Sequence, residues 1–238
     1  MNKWPLLSVV IPAYNEINTI KDILEKVKSI KIPKEVVVID DGSTDGTREF
    51  LKKLKDKEVR VFFNKANKGK SYSVRIGIKE AKGEIIIIQD ADLEYDPEDY
   101  YKLVKPIQEG RTKVVYGTRF PERKGHPSLL HPYQKLSNSF YFGNKILTMM
   151  SNILYGANIT DEPTCYKVFD AKVLKSLKLN SERFEFCPEV TAKVRKKGHK
   201  ILEVPIKYYP RSVEEGKKIN WKDGLEAVWT LIKYRISD

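Results

Sequence analysis

The sequence predicts an α/β protein with a mostly parallel sheet flanked by helices. Three observations carry this reading. Apolar runs alternate with helical patterns through the first half of the chain. The run Ile85 to Ile88 is continuously apolar between Gly83 and Asp90, as a strand buried on both faces requires. Polar residues gather where the apolar runs end, and open α/β sheets hold their ligands outside the carboxyl ends of their strands.

Taken in order, Leu6 to Ile11 reads as the first strand. Ile20, Ile23, Leu24, Val27 and Ile30 then recur at helical spacing, with Asn18 or Thr19 as N-cap. Glu35 to Ile39 is the second strand, and the turn-rich segment Asp40-Asp41-Gly42-Ser43-Thr44-Asp45-Gly46 follows it. A short helix carrying Phe50, Leu51 and Leu54 leads to a third strand, Val59 to Phe63. Asn67-Lys68-Gly69 breaks the chain before a helix through Ala81, and the fourth strand follows. Asp96-Pro97-Glu98 opens another helix, with proline at N1 and acids in the first turn. Val114 to Tyr116 is a strand, and residues 121–133, with three prolines, form a loop. Helices are expected within 134–155, near 170–177, over 185–197 and over Trp221 to Arg235, with a strand from His199 to Ile206.

The totals narrow the function. Forty-four basic residues against 32 acidic ones give a net charge of +12, which favours an anionic partner. No stretch approaches the roughly 20 apolar residues of a membrane-spanning helix. Cys165 and Cys187 lack CxxC spacing and read as two buried thiols in a reducing compartment, so a zinc site is not expected. His126, His131 and His199 are scattered, the first two in the proline-rich loop. Met149-Met150 among Leu147, Ile153 and Leu154 reads as core.

The sharpest chemical signal is Asp90-Ala91-Asp92 directly after the buried strand, with Glu94 two residues on. Two carboxylates at a strand end suit a hard divalent cation, and magnesium binds through one or two carboxylates plus substrate phosphates. Mg2+ or Mn2+ at Asp90 and Asp92, with Glu94 helping directly or through water, would neutralise charge on a diphosphate leaving group. The alternative is that these acids only cap the helix at Pro97. The second signal is Pro12-Ala13-Tyr14-Asn15-Glu16 at the end of the first strand, facing Asp41 at the end of the second. Tyr14 offers a ring face to a base, and Glu16 and Asp41 offer acceptors for base N–H groups or ribose hydroxyls. No GxGxxG follows a strand and no GxxxxGK[ST] is present, which argues against a dinucleotide site and a P-loop.

In this order and spacing, PAYNE, DDGSTD and DAD resemble the family-2 glycosyltransferases of the GT-A fold. The likeness continues through Tyr116-Gly117-Thr118-Arg119-Phe120, Asp161-Glu162-Pro163-Thr164-Cys165-Tyr166-Lys167, Phe184-Glu185-Phe186 with Glu189, and Glu203-Val204-Pro205-Ile206. Within the family it is similar to the dolichyl-phosphate mannose synthases and the polyprenyl-phosphate glycosyltransferases. The resemblance implies one catalytic domain over 1–238, with a nucleotide-binding half (1–95) and a sugar and acceptor half (96–238). It implies that Pro12, Ala13, Tyr14, Glu16, Ile39 and Asp41 cradle the nucleoside. Asp90 and Asp92 would hold metal and diphosphate, with Ala91 lining the site. Arg119 would meet phosphate, and Arg211 with Lys217 or Lys218 would close over the diphosphate. Cys165 and Lys167 depart from the family's D-x-T-S-G-F-R pattern.

Asp161 matches that pattern. It is a candidate general base, a positioning residue for sugar or acceptor, or a structural hydrogen-bonding aspartate beside Thr160 and Thr164. A phosphate acceptor is already ionised near neutral pH and needs little help from a base, whereas a hydroxyl acceptor needs one. The expected reaction is therefore inverting transfer of a hexose from a GDP- or UDP-sugar to a polyprenyl or dolichyl phosphate, with a hydroxyl acceptor as the alternative. The expected location is peripheral, at the cytoplasmic membrane face, held by the membrane surface or by a membrane-protein partner. The last helix, carrying Trp221, Leu225, Val228, Trp229, Ile232 and Tyr234 among Lys222, Lys233 and Arg235, can lie in that interface or pack on its own domain; packing is the expectation. A nucleic-acid-binding module fits the charge, but carboxylates clustered at three strand ends repel phosphate, so nucleic acid is not expected.

Overall fold

The computed structural model describes residues 4–120, 138–211 and 221–237. Strands β1 (Leu7–Ala13), β2 (Lys34–Asp40), β3 (Val59–Phe63) and β4 (Ile85–Ile88) alternate with helices α1 (Ile20–Ser29), α2 (Thr47–Lys53) and α3 (Lys70–Glu80). A 3₁₀ turn over Pro97–Asp99 runs into α4 (Tyr100–Gln108), with the Asp96 carboxylate accepting from the Glu98 amide at 3.1 Å. Then come β5 (Val114–Thr118), α5 (Asn138–Tyr155), β6 (Lys167–Asp170), α6 (Ala171–Lys175), α7 (Phe186–Lys196), β7 (Ile201–Pro205) and α8 (Trp221–Ile236).

The strands form one sheet in the order β3-β2-β1-β4-β6-β5-β7. β1 pairs in parallel with β2 and β4, β2 with β3, and β5 with β7. β6 alone is reversed, wedged antiparallel between β4 and β5. The mostly parallel sheet flanked by helices is thus the one the sequence predicts. β6 itself is not among the strands the sequence predicts; the helix expected near 170–177 is present as the short α6 that follows it. Val168 and Phe169 are too short an apolar run to announce a strand, and their pairing partners lie more than 50 residues away.

Alternation along the strands sorts side chains onto two faces. Val9, Ile11, Val36, Val38, Ile85 and Ile87 pack with Ile20, Ile23 and Val27 of α1 and Leu103, Val104 and Ile107 of α4. Val10, Val37, Ile39, Ile86 and Ile88 pack with Val74 and Ile78 of α3 and Val190 and Val194 of α7. Gly77 lets α3 approach the sheet closely, since a Cβ there would lie 2.8 Å from Ile39 Cδ1.

Thr19 is the N-cap residue of α1, as expected, but its side chain caps no helix amide; its hydroxyl donates to the Ala91 carbonyl at 2.9 Å, tying the start of α1 to the Asp90–Asp92 segment. Two sequence expectations are corrected here. Met149 is exposed rather than core, although Met150 packs where α5 and α8 meet. α8 buries only Asp223, Ala227, Thr230, Leu231 and Tyr234, while Trp221, Leu225, Trp229, Ile232 and Ile236 face outward. The loop expected over 121–133, with His126 and His131, lies outside the described residues.

Candidate functional site

A cleft of about 1040 Å³ opens along the carboxyl ends of β1, β2 and β4. Pro12, Ala13, Tyr14, Glu16, Asp41, Asp90, Ala91, Asp92 and Glu94 line it from the first half of the chain. Arg119, Glu162, Cys165, Tyr208 and Arg211 line it from the second, and α5 and α8 form its outer wall. Segments distant in sequence thus converge because parallel strands all end on one edge of the sheet. Ile39 does not join them: it is wholly buried beneath α3, because its position in β2 points into the core. Lys217 and Lys218 lie outside the described residues.

The PAYNE and DDGSTD turns are stitched together. The Asp41 amide donates to the Ala13 carbonyl at 2.8 Å, the Asn15 amide to Ser43 Oγ at 3.0 Å, and the Thr44 amide to Asn15 Oδ1 at 2.8 Å. The buried Asp41 carboxylate accepts from Asn64 Nδ2 at 2.7 Å, from the Lys68 amide at 3.0 Å and from the Gly69 amide at 2.8 Å. Gly69 sits at φ +99°, a conformation that an L side chain rarely adopts, and this aims its amide at Asp41. Asp41 therefore organises the loop before α3.

The acids after β4 are held by cations. Arg211 Nη2 meets Asp92 at 2.7 Å, its Nη1 meets Glu16 at 3.3 Å, and its amide donates to Glu94 Oε1 at 2.8 Å. Glu94 also accepts from the Tyr208 hydroxyl at 3.0 Å, which turns it toward the 208–211 segment. Asp90 pairs with Lys70 at 2.5 Å, and the same ammonium donates to Cys165 Sγ at 3.0 Å. The thiols expected to be buried are half-buried, and both line the cleft. Burial, then the Asp90 and Glu94 charges, push the Asp92 carboxyl up to about 7 against the pull of Arg211. Burial also acts to raise Asp90, but Lys70 outweighs it and holds that carboxyl below its usual value.

Among the described residues no three acidic, histidine or cysteine side chains converge as a metal-ligand cluster, so Glu94 does not complete a set with Asp90 and Asp92. The two aspartates remain a fitting donor pair. They are hard oxygens in a field negative enough to hold Asp92 up, an excess that a divalent cation would relieve.

Asp161 is wholly buried, and both its oxygens are held by Arg119: from the amide at 3.0 Å, Nε at 2.7 Å and Nη2 at 2.8 Å. The guanidinium also lies 4.9 Å from the centroid of the Tyr208 ring. Glu203 fixes the segment from below, accepting from the Thr160 amide at 2.8 Å and the Asp161 amide at 3.2 Å. Glu189 performs a similar task for α8, accepting from the Asn180 and Ser181 amides, Lys193 Nζ and the Tyr234 hydroxyl, each within 2.7–2.8 Å.

Sequence reasoning missed Lys70 and Tyr208. A trace of Lys70 was there: a lysine in the first turn of a helix opposes the helix dipole, so another partner must hold it. Nothing local announces Tyr208, whose partners Glu94 and Arg119 are distant in sequence.

Comparison with known proteins places this geometry. The chain is 27% identical over 250 residues to a UDP-N-acetylglucosamine–dolichyl-phosphate N-acetylglucosaminyltransferase of Methanococcus voltae, covering 97% of this chain and 96% of that protein. It is 30% identical over 217 residues to a dolichol-phosphate mannosyltransferase of Pyrococcus furiosus, covering 89% of this chain and 58% of that one. It is 30% identical over 213 residues to a low-salt glycan biosynthesis hexosyltransferase of Haloferax volcanii, covering 88% of this chain but spanning only about half of that relative, 49%. Among solved structures, a glucosyl-3-phosphoglycerate synthase from Mycobacterium tuberculosis, in complex with Mn2+ and UDP, superposes with a TM-score of 0.70 at 17% identity. That match covers 98% of this chain and 81% of the other and shows a shared fold. The model of glycosyl transferase family 2 matches residues 8–178, the stretch that carries PAYNE, DDGSTD, the Asp90–Asp92 pair and Asp161. The chain belongs to glycosyl transferase family 2.

Proposed function

We propose that this chain transfers a hexose from a nucleoside diphosphate sugar to a polyprenyl phosphate, with inversion at the anomeric carbon. The relatives named for dolichyl-phosphate glycosyl transfer support that class of acceptor. Tyr14, Glu16 and Asp41, with Pro12 and Ala13, line the part of the cleft that would take the nucleoside, and Ala91 lies between the two aspartates that would face the diphosphate. Asp90 and Asp92 would hold Mg2+ or Mn2+, which when bound supplies positive charge to the leaving diphosphate. Arg211, here spread over Glu16, Asp92 and Glu94, would turn one N–H edge to phosphate, joined by Lys217 or Lys218.

The observation that carries the acceptor is the Arg119–Asp161 pair. A hydroxyl acceptor needs a carboxylate free to take its proton, and Asp161 has both oxygens committed to Arg119. A phosphate acceptor needs no such proton transfer. Its oxygen attacks the anomeric carbon as the bond from that carbon to the diphosphate breaks. The test is to incubate the protein with labelled nucleotide-sugars, divalent cation and either a short polyprenyl phosphate or the matching free polyprenol. Transfer to the phosphate alone is expected. Transfer to the alcohol but not the phosphate, or only to a saccharide, overturns the acceptor assignment.

A further inference from the structure

Two neighbouring helices leave apolar stripes uncovered. On α5, Phe142, Ile146, Met149 and Ile153 fall on one face at spacings of four, three and four residues, and are 48–73% exposed. On α8, Trp221, Leu225, Trp229, Ile232 and Ile236 repeat the pattern at 36–84% exposure. The helices pack on each other through Leu147, Ala227 and Leu231, and the Tyr155 hydroxyl donates to the Leu231 carbonyl at 2.5 Å. Ile146, Trp221 and Leu225 belong both to a stripe and to the cleft wall, so the two stripes meet at the cleft. A contiguous exposed apolar surface of this kind marks an interaction site.

Charge selects the occupant. α5 contains no acidic residue. The two acids of α8, Asp223 and Glu226, turn to Arg183, at 3.7 and 3.9 Å. The exposed charged residues of the two helices are the basic Lys145, Lys222, Lys233 and Arg235, and the one acidic side chain that reaches solvent, Glu226 at 42%, faces Arg183. Tryptophan, aliphatic and basic side chains on one helix surface are what an anionic lipid interface takes up. A soluble protein partner would more commonly be met by charges of both signs. No described helix is long and apolar enough to cross a bilayer, so this face would lie on the membrane and not span it.

We propose that the paired outer faces of α5 and α8 form the surface by which this chain docks onto an anionic phospholipid bilayer. This deepens the polyprenyl-phosphate reading, because docking there sets the cleft mouth at the headgroup level, where a lipid-linked phosphate lies. Its test is independent of that reading. The purified chain is floated through a density gradient with vesicles of phosphatidylcholine alone or of phosphatidylcholine and phosphatidylglycerol in equal parts. Flotation with the anionic vesicles is expected. Ile153→Glu with Trp229→Glu, outside the cleft, should reduce it at least about tenfold without changing the melting temperature. Lys222→Glu with Arg235→Glu should reduce it in low salt and abolish its salt dependence.

Three results overturn the proposal. One is failure to float with anionic vesicles while the chain transfers sugar to a short, detergent-dispersed polyprenyl phosphate, which leaves the acceptor reading standing. Another is flotation that both double variants leave intact, which places the contact elsewhere. The third is a dimer in vesicle-free buffer that Trp229→Glu breaks, with no vesicle binding, which assigns the face to a second copy.

Discussion

Replacing Asp161 with alanine removes a carboxylate partner from a guanidinium that is only 7% exposed. Three N–H groups of Arg119 lose their acceptor, at 3.0, 2.7 and 2.8 Å. Breaking a buried ion pair from one side costs about 3–5 kcal/mol. In a chain of this size each kcal/mol moves the melting temperature by roughly 2–4 °C, so a fall of roughly 6–20 °C is expected. Scanning calorimetry at neutral pH reads it, without substrate or metal. The double variant Asp161→Ala with Arg119→Met should recover part of the loss, because the buried guanidinium is removed together with its carboxylate. A melting temperature for Asp161→Ala within about 2 °C of the parent, less than 1 kcal/mol, would refute the reasoning. The Asp161 carboxylate would then not be committed to Arg119, and a general-base role would reopen.

Other perturbations read other parts of the structure. Gly77→Ala brings a Cβ to 2.8 Å from Ile39 Cδ1, and closer still to Val10 Cγ1. Overpacking of about 1–3 kcal/mol should exceed the gain of about 1 kcal/mol in helix propensity, so the urea midpoint should fall; a rise would mean the core yields. Burial acts to raise the Glu189 carboxyl, but bonds from Lys193, Ser181 and Asn180 outweigh it and hold it below its ordinary value. A carboxyl depressed in this way contributes stability above the unfolded value, about 4.3, and loses it as pH falls through the folded value. Glu189→Gln should flatten the loss of stability on acidification below about pH 5, and an unchanged acid slope would exclude Glu189 as its source. Arg211→Ala should weaken nucleoside diphosphate binding about tenfold or more, because a hydrogen bond to a charged group contributes about 1.5–3 kcal/mol. Calorimetry showing unchanged affinity would place the diphosphate away from Arg211.

Much of the fold was legible because its first half is local. The strands β1, β2 and β4 each hold a run of apolar residues closed by a turn, and α1 carries its own periodic apolar stripe. What was illegible depends on distant partners. β6 is four residues long and exists because β4 and β5 flank it. The motifs located the site, but not its wiring. That Arg211 spans three carboxylates, that Lys70 reaches Asp90 and that Arg119 closes on Asp161 are facts of tertiary approach between segments tens of residues apart or more. The outward turn of Trp221 and Trp229 was hidden for a related reason. An apolar stripe at helical spacing looks the same whether a domain or a bilayer covers it.

The reversed strand also affects how this protein can be rebuilt. Tyr14, Asp41 and Asp90 reach the cleft as run-outs from strands, whereas Glu162, Pro163 and Cys165 reach it from the lead-in to β6. The ladder joining the strands of residues 7–88 to the later ones consists of Ile85–Asp170, Ile86–Phe169 and Ile87–Val168. That is a short seam for a chimera. A graft that exchanges residues 162–164 of the lead-in, keeping Asp161 on Arg119, Cys165 on Lys70 and Tyr166 on Gln89, can keep this ladder whole. One rim of the cleft can then diversify while the other is held constant, with a splice point that disturbs no parallel pairing.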